Sequence, residues 1–459
     1  MGWWPKWRFL VSAALIATCA EGLYPAPASA SHRIHRHAIR VKQPVPLYRG
    51  AILEDADTGA VLYQLNPEMQ WPPASMAKMM LLLVATDQIK AGRVSLNSPV
   101  WISANSANTG GTRLGLREGE VHPLGELMKA ALIKSANDAA VAVAEKIAGS
   151  TDACVRLMNR RARALGLTHT EYNTVDGLPP RPAHDVDVTD AYDLATLGRT
   201  LIAKTNLLQW SSQEEALFDG GQAILRNTNH LIGHFEGCDG LKTGFTYQAG
   251  FNLTATAKRG DMRLIAVVLG APSNNQRFAQ AGRLLEWGFD NFTRVTVVRR
   301  GEPIPAHVRL PEGSLVQPIA AQDIKIVVPK NRIRDLKVDY DIPAAITSGP
   351  VVMGAPIGQV IVHDDNRVLS RTSALCPVSM QGGTVVGSQA YSTGAAVAAS
   401  LPAANRIPAE AVGTGDTIRV DSRIPAATTA TNAMQINGPA PGAQPAVDVC
   451  CVNQPQVTR

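Results

Sequence analysis

Ser75 and Lys78 are residues whose types and spacing suit covalent chemistry in this 459-residue chain. Pro72 and Pro73 precede them, and prolines are favoured just ahead of a helix. No helix breaker follows until Gly92, so the two side chains are expected on one helix face. A lysine beside a serine hydroxyl suits a base and its nucleophile, near backbone N–H groups that have no helical partner. The alternative is an ordinary N-cap serine beside a solvated lysine.

Two later motifs carry further polar residues where secondary-structure elements meet. Ser135 and Asn137 lie between two apolar helical stretches, where buried hydroxyl and amide groups need hydrogen-bond partners. Lys242, Thr243 and Gly244 lie in a stretch expected to be a strand. Taken alone, the serine and asparagine suit capping of the next helix, and the lysine motif suits a surface turn. The presence of all three motifs, in order along the chain, favours a catalytic site.

The elements around these motifs predict an α+β fold. Residues 51–63 are expected to form two strands joined by an Asp-Thr-Gly turn, directly ahead of Ser75. Alternating and apolar runs over 220–270 predict further strands. Apolar residues recur at helical spacing in four more stretches: 124–147 (interrupted at 134–138), 152–166, 188–203 with Thr189 as its expected N-cap, and 276–287. This order of helices and adjacent strands predicts an antiparallel sheet covered by helices.

Composition divides the chain into five segments. A basic start, an apolar run and a small-residue cleavage site predict a secretory signal peptide over 1–30. Residues 31–44 form a basic, His-rich arm, and 45–291 hold the three motifs in a catalytic domain. Short strands separated by Pro and Gly turns predict a small β-rich domain over 292–375. Residues 376–459 are rich in Ala, Pro, Thr and Gly and predict a low-complexity, disordered tail.

Charge and composition exclude several function classes. The chain is 45% hydrophobic and 18% charged, as expected of a globular protein, and its net charge of +6 does not indicate nucleic-acid binding. The six cysteines lack the spacing of a metal site, and we expect neither metal nor cofactor. The signal peptide predicts export to the periplasm. The tail lacks the basic amphipathic helix that would lie on a membrane, so association with the outer face of the inner membrane is left open.

The motif set resembles that of class A β-lactamases and penicillin-binding proteins. Within that group the sequence resembles the D-alanyl-D-alanine carboxypeptidases, the low-molecular-mass penicillin-binding proteins of serine peptidase family S11. The resemblance covers 45–291 and, more weakly through 356–360, that family's β-rich C-terminal domain. It implies a β-lactamase/transpeptidase-like fold. The stretches that carry it are Asp55-x-x-Thr58-Gly59, Pro73-Ala74-Ser75, Ser135 to Ala140, Leu157-Met158-Asn159, Leu165-Gly166-Leu167, Asp239 to Gly244, and Ala249-Gly250.

This resemblance implies acyl transfer on peptidoglycan stem peptides, with β-lactam antibiotics as inhibitors. Ser75 Oγ would attack the penultimate D-Ala carbonyl to give an acyl-enzyme that water resolves. Lys78 would be the base, kept neutral part of the time by burial and by the cation of Lys242. Ser135 would relay the proton toward the leaving D-Ala amine. The backbone N–H groups of Ser75 and Phe245 would form the oxyanion hole.

The resemblance also implies a substrate-binding set at the lysine motif and Asn137. Asn137 would hold the peptide amide, Lys242 would supply positive potential, and Thr243 would bind the terminal carboxylate. Gly244 would let the strand edge approach the substrate closely. Phe245 stands where a polar residue can stand in relatives, so its side chain is expected to alter substrate preference.

Three other functions stay open at this point. A β-lactamase would need a deacylating base, and Glu171 and Asp176 in the irregular 167–187 loop do not match the expected motif. A D,D-endopeptidase acting on cross-linked peptides uses the same chemistry. A non-catalytic cell-wall scaffold would not require the polar residues of the motifs.

Two further predictions concern residues near the lysine motif. Residues 227–229, Asn-Thr-Asn, precede the motif strand and are expected to brace the site. Arg277 is expected to be a surface arginine of the closing helix rather than a carboxylate ligand.

Overall fold

The computed structural model describes residues 47–179, 186–348, 351–364, 367–381 and 384–388. The predicted signal peptide (1–30), the predicted basic arm (31–44) and most of the predicted tail lie outside the described residues. Within the described residues, no helix is both long and apolar enough to cross a lipid bilayer.

The first two thirds of the described chain contain both strands and helices. The strands are β1 (Gly50–Asp55), β2 (Val61–Leu65), β3 (Pro99–Trp101), β4 (Val121–Pro123), β5 (Glu215–Phe218), β6 (Ala223–Arg226), β7 (Cys238–Thr246), β8 (Gly250–Arg259) and β9 (Met262–Ala271). The helices are α1 (Lys78–Lys90), α2 (Ala104–Ala107), α3 (Leu124–Ile133), α4 (Asn137–Ala148), α5 (Thr151–Ala164), α6 (Ala191–Lys204), α7 (Leu208–Ser211) and α8 (Asn274–Asn291).

A five-stranded antiparallel sheet, in the order β2-β1-β9-β8-β7, forms the centre of this region. Successive side chains of a strand point to opposite faces. On β9, Leu264 lies against Gly288 of α8, whereas the next residue, Ile265, lies against Gly198 of α6. Helices therefore cover both faces, which explains why β9 is apolar along most of its length.

Helix α1 packs against the helices α3, α4, α5 and α6. Its run from Met79 to Ala85 is buried throughout, so the helix shows no polar face. The sequence predicts one helix from Ser75 to Gly92, and the structure divides it. Ala74–Ala77 form a 3₁₀ turn that holds Ser75, and Lys78 is the first residue of the α-helix.

The cap of α6 differs from the sequence prediction. Thr189 is not the N-cap; the Asp190 side chain accepts a hydrogen bond from the backbone N–H of Asp193 at 2.7 Å. Thr189 instead forms a hydroxyl–hydroxyl hydrogen bond with Thr170, 2.9 Å long. Threonine and aspartate are both good caps, and sequence spacing alone does not choose between neighbours.

A β-rich region follows α8. Its strands form two-stranded pairs and one four-stranded sheet, β13-β17-β16-β15, with a 3₁₀ turn at Lys330–Asp335. The strands are β10 (Phe292–Val298), β11 (Val308–Arg309), β12 (Leu315–Val316), β13 (Ile319–Ala320), β14 (Ile324–Pro329), β15 (Leu336–Asp341), β16 (Pro356–Asp364), β17 (Arg367–Leu375), β18 (Val378–Gln381) and β19 (Thr384–Ser388).

The α+β class with an antiparallel sheet, covering helices and a β-rich C-terminal part is confirmed. The paired strands β18 and β19 fall inside 376–459, which the sequence predicts to be a tail. Strands β18 and β19 pair locally despite the small-residue composition around them, and the assignment of 376–459 as a tail stays a prediction. The division into domains at residues 45 and 291 stays a prediction.

Candidate active site

The backbone at Ser75 is held closely from two sides. A Cβ on Gly244 of β7 would lie 2.4 Å from the Pro73 carbonyl oxygen. A Cβ on Gly177, whose φ is +80°, would lie 1.9 Å from the Ala74 carbonyl oxygen. Ala74 itself has a left-handed φ of 50°, a strained conformation for a residue with a Cβ. Such strain persists only where surrounding structure imposes it, so the approach of these two glycines fixes the turn.

Lys78 is buried, and its Nζ donates to three oxygens. The distances are 2.9 Å to Ser75 Oγ, 2.7 Å to Asn137 Oδ1 and 2.6 Å to the Asp176 carbonyl oxygen. An ammonium has three N–H donors, so the charged form is fully paired here. After losing a proton, the amine keeps two donors for Asn137 and Asp176 and turns its lone pair toward Ser75. The arrangement therefore suits removal of the hydroxyl proton.

Burial lowers the pKa of Lys78 to about 8, and the carboxylates of Asp176, Asp187 and Asp138 act in the opposite direction. At that pKa a fraction of the amine is neutral at neutral pH, as a general base requires. Burial also lowers the pKa of Lys242 well below its ordinary value, and repulsion by Lys78 lowers it further. Repulsion between two ammonium groups is mutual, so charging of either lysine disfavours the charged form of the other.

Ser135 and Asn137 lie at the junction between α3 and α4. Ser135 is buried and has a left-handed φ of 64°. Asn137 receives the Lys78 hydrogen bond and donates from Nδ2 to the Gly110 carbonyl at 2.8 Å. The N-cap of α4 is Ala136, which makes no side-chain cap bond, so the capping alternative for these two residues is wrong.

The lysine motif lies in β7 and is buried. Thr243 donates from its hydroxyl to the Thr228 hydroxyl, 2.7 Å away. Asn229 donates from Nδ2 to the carbonyl oxygen of Gly240, 2.9 Å away and two residues before Lys242. These contacts match the predicted bracing by 227–229, and the surface-turn alternative for the motif is wrong.

Arg277 contradicts the prediction of a surface arginine. It is 7% exposed and donates to the carbonyl oxygen of Gly244 at 3.1 Å. Its guanidinium lies over the rings of Phe251 and Phe278, and burial lowers its pKa to about 10. The helical period gave a usable signal, because Arg277 lies on the same face as the buried Ala281 and Leu284.

Phe245 continues the motif strand to the surface. Its ring is stacked on Phe251 with centroids 4.3 Å apart, and Tyr247 meets its edge at 5.7 Å. Phe245 is 43% exposed and Tyr247 is fully exposed. An aromatic shelf therefore follows Gly244 along the rim of the site.

The sequence model of the D-alanyl-D-alanine carboxypeptidases, peptidase family S11, matches residues 39–273. This chain belongs to the S11 family. It is 33% identical to the D-alanyl-D-alanine carboxypeptidase DacC of Escherichia coli strain K12 over 355 residues, which is 76% of this chain and 88% of that protein. It is 32% identical to DacF of Bacillus subtilis strain 168 over 339 residues, 72% of this chain and 86% of that protein.

Solved structures agree with this S11 assignment. Penicillin-binding protein 5 of Haemophilus influenzae is 28% identical, with a TM-score of 0.64 over 73% of this chain and 98% of that one. Penicillin-binding protein D2 of Listeria monocytogenes, solved in its ampicillin-bound form, is 29% identical, with a TM-score of 0.50 over 53% of this chain and 98% of that one.

Three residues around the S11 site escaped the sequence prediction. Asp138 accepts hydrogen bonds from the backbone N–H groups of 114–116, at 2.8 to 3.2 Å. Asp187 and Thr174 organise the turn that offers its carbonyl to Lys78. Only the position of Asp138, directly after the serine-asparagine motif, gave a signal. Among the described residues, no cluster of His, Cys, Asp and Glu has the geometry to hold a metal ion.

Proposed function

We propose that this chain is a serine-type D-Ala-D-Ala carboxypeptidase that removes the terminal D-alanine from peptidoglycan pentapeptide stems through an acyl-enzyme on Ser75. The observation that carries the proposal is the 2.9 Å contact between Ser75 Oγ and the buried Nζ of Lys78, whose pKa is lowered to about 8. Family membership and the names of the relatives support the same reaction.

Acylation would begin with attack of Ser75 Oγ on the penultimate D-Ala carbonyl carbon. Lys78 takes the hydroxyl proton, and the backbone N–H groups of Ser75 and Phe245 stabilise the oxyanion, typically by ~3 kcal/mol per donor. The C–N bond then breaks, and the leaving D-Ala amine receives a proton by way of Ser135. Water attacks the acyl-enzyme in the second half-reaction, and Ser75 recovers its proton.

Substrate binding would use the terminal carboxylate of the peptide. Thr243 offers a hydroxyl, and Lys242 and Arg277 supply positive charge around β7. Because burial, and after it repulsion by Lys78 and Arg277, lowers the pKa of Lys242, an arriving carboxylate would favour the ammonium form. Binding and protonation of Lys242 are therefore coupled. Asn137 would hold the peptide amide while it keeps its contact with Lys78.

The test is D-Ala release from a pentapeptide by the wild type and by Ser75→Ala. We expect release by the wild type alone. Release only from cross-linked peptides would move the assignment to a D,D-endopeptidase.

Benzylpenicillin supplies a second test, because we propose that Ser75 is also the β-lactam target. The ampicillin-bound form of the Listeria relative supports this proposal. We expect a persistent acyl-enzyme on Ser75; rapid hydrolysis would indicate a β-lactamase. If Ser75→Ala labels with fluorescent penicillin as well as the wild type does, the proposed mechanism is wrong.

Export to the periplasm completes the proposal. The sequence-predicted signal peptide supports it, with cleavage before Ser31. N-terminal sequencing of the mature protein should begin at that residue. Fractionation of cells would show whether the mature protein stays with the inner membrane.

A further inference from the structure

One of the oxygens that Lys78 contacts is held in place by residues that do not themselves touch Lys78. Lys78 donates to the carbonyl oxygen of Asp176, which lies in an irregular turn rather than in a helix or strand. A turn without ladder hydrogen bonds needs other contacts to hold a carbonyl in place. Asp187 accepts three such hydrogen bonds, and the side chains of Thr174 and Asp176 accept one each from the following backbone N–H groups.

Asp187 is buried and accepts three hydrogen bonds from the turn. Its Oδ1 receives the backbone N–H groups of Asn173 at 2.6 Å and Thr174 at 2.8 Å. Its Oδ2 receives the Thr174 hydroxyl at 2.7 Å. The Thr174 hydroxyl oxygen in turn accepts the backbone N–H of Gly177 at 2.8 Å. A relay of hydrogen bonds thus spans the peptide unit whose carbonyl faces Lys78.

The same turn is pressed against the nucleophile. Gly177 approaches the Ala74 carbonyl too closely for any Cβ, so a shift of the turn would move the backbone beside Ser75. Asp187 also lines the small cavity at this place, together with Ala74 and Thr246. A displacement of this turn would therefore reach both members of the serine–lysine pair.

We propose that Asp187 is a positioning residue for acyl transfer: its carboxylate, through Thr174, holds the 173–177 turn so that the Asp176 carbonyl stays in place for Lys78. The inference rests on the proposed role of Lys78 as the base for Ser75. Asp187 touches neither substrate nor the reacting atoms and acts through the turn and through its charge.

The charge of Asp187 adds an effect that a merely structural contact would lack. The titratable groups that face it are Lys78, Asp176 and Tyr172. Burial raises the pKa of Asp187 to about 6, so its carboxylate is ionised at pH 7 and above. That negative charge raises the pKa of Lys78, whereas Tyr172 stays neutral because burial raises its pKa.

The experiment measures the rate constant for acylation by a fluorescent penicillin, as a function of pH, in the full-length mature protein. Asp187→Asn should lower the plateau rate by about 10-fold or more, because small displacements of reacting groups have large effects on rate. It should also move the inflection to lower pH, because a charge that favours the protonated lysine is gone.

Thr174 variants separate position from charge. Thr174→Val keeps the carboxylate but breaks the relay, so the plateau should fall while the inflection stays at or above the wild-type pH. Thr174→Ser keeps the hydroxyl and should acylate like the wild type. Asp190→Asn is the matched control, since it removes another buried carboxylate that caps α6. It should lower the melting temperature and leave the acylation profile unchanged.

Each outcome decides the matter. Wild-type rates and inflection in Asp187→Asn would overturn the proposal. If that variant does not fold, equal rates in Thr174→Val and Thr174→Ser would overturn it instead. A wild type that is not acylated on Ser75 would contradict the proposed function, which is a separate result.

Discussion

The region that carries the site and the β-rich region after it differ in the polar side chains they bury. In the described residues before Phe292, buried charged groups include two lysines, an arginine and several carboxylates; those at the site are Lys78, Lys242, Arg277, Asp138, Asp176 and Asp187. In the described residues from Phe292 onward, Thr372 is the one buried polar residue, and the largely buried side chain of Arg294 pairs with Asp55 of β1. Buried charge is unfavourable unless it is paired, and perturbed groups cluster where chemistry occurs.

Both regions have apolar cores, so the difference lies in what each adds to its core. The β-rich core is built from residues such as Val360, Val362 and Ala374. The core of the site region contains the apolar helix α1, and the same region buries Lys78 and Lys242. We infer that the site region gives up stability to hold reactive groups out of water, as is common at active sites. Matched substitutions in the two regions test this difference.

The largest expected effect is loss of the proposed base, Lys78. Lys78→Met keeps an unbranched, buried side chain and removes the amine. Acylation of Ser75 by a fluorescent penicillin should fall by about 10³-fold, within the usual range for removal of general acid–base groups. Lys325→Met is the control, because Lys325 in the β-rich region is exposed and pairs with Asp323. Equal acylation rates in the two variants would show that the amine of Lys78 is not the base for Ser75.

A smaller effect is expected from the backbone contact beside Ser75, the proposed nucleophile. Gly177→Ala places a Cβ 1.9 Å from the Ala74 carbonyl oxygen and should lower acylation by roughly 10²-fold, the effect of a displacement near 1 Å. Gly354→Ala is the control: Gly354 also has a positive φ, of +83°, but nothing lies near its added Cβ. It should lose only about 1 kcal/mol of unfolding free energy and keep full activity.

The pH dependence should follow Lys78. Because the pKa of Lys78 is about 8, the fraction of its amine that is neutral increases with pH. The acylation rate should therefore increase about 5-fold between pH 7 and pH 8. A rate that is flat from pH 6 to pH 9 would contradict the assignment of the base.

The same ionisation affects stability, with a definite sign. The pKa of an unfolded lysine is about 10.4, so the folded state binds fewer protons than the unfolded state between about pH 8 and pH 10. The unfolding free energy should therefore rise as pH increases across that window. The added stability should disappear again as pH falls through the same window. Urea unfolding should show this rise in the wild type and in Lys325→Met, and a smaller rise in Lys78→Met.

The sequence predicts those features of the molecule that local residue patterns determine. The spacing of Ser75 and Lys78, the break between α3 and α4, and the apolar strand β9 are all visible in the order of residues. Family resemblance then joined three motifs that lie far apart along the chain. The buried Asn137 and the strand position of Lys242 follow from that combination.

The missed features depend on contacts between distant segments. Asp187 reaches back to Thr174 across a loop, and no periodicity predicts which of several acidic residues there is buried. Arg277 was misplaced because an arginine is usually exposed, although its helical position faced inward. The cap at Asp190 was missed because local propensity allows its neighbour equally well.

The smallest expected effect concerns the exposed aromatic Phe245, compared with Leu315, a 59% exposed residue of the β-rich region. Phe245→Ala should raise KM for a D-Ala-D-Ala peptide by about 3-fold, since exposed contacts contribute little each. kcat should stay near wild type, because the backbone N–H that would serve the oxyanion remains. Leu315→Ala should change neither constant. A fall in kcat for Phe245→Ala would mean instead that stacking on Phe251 holds the edge of β7, and with it the position of that N–H.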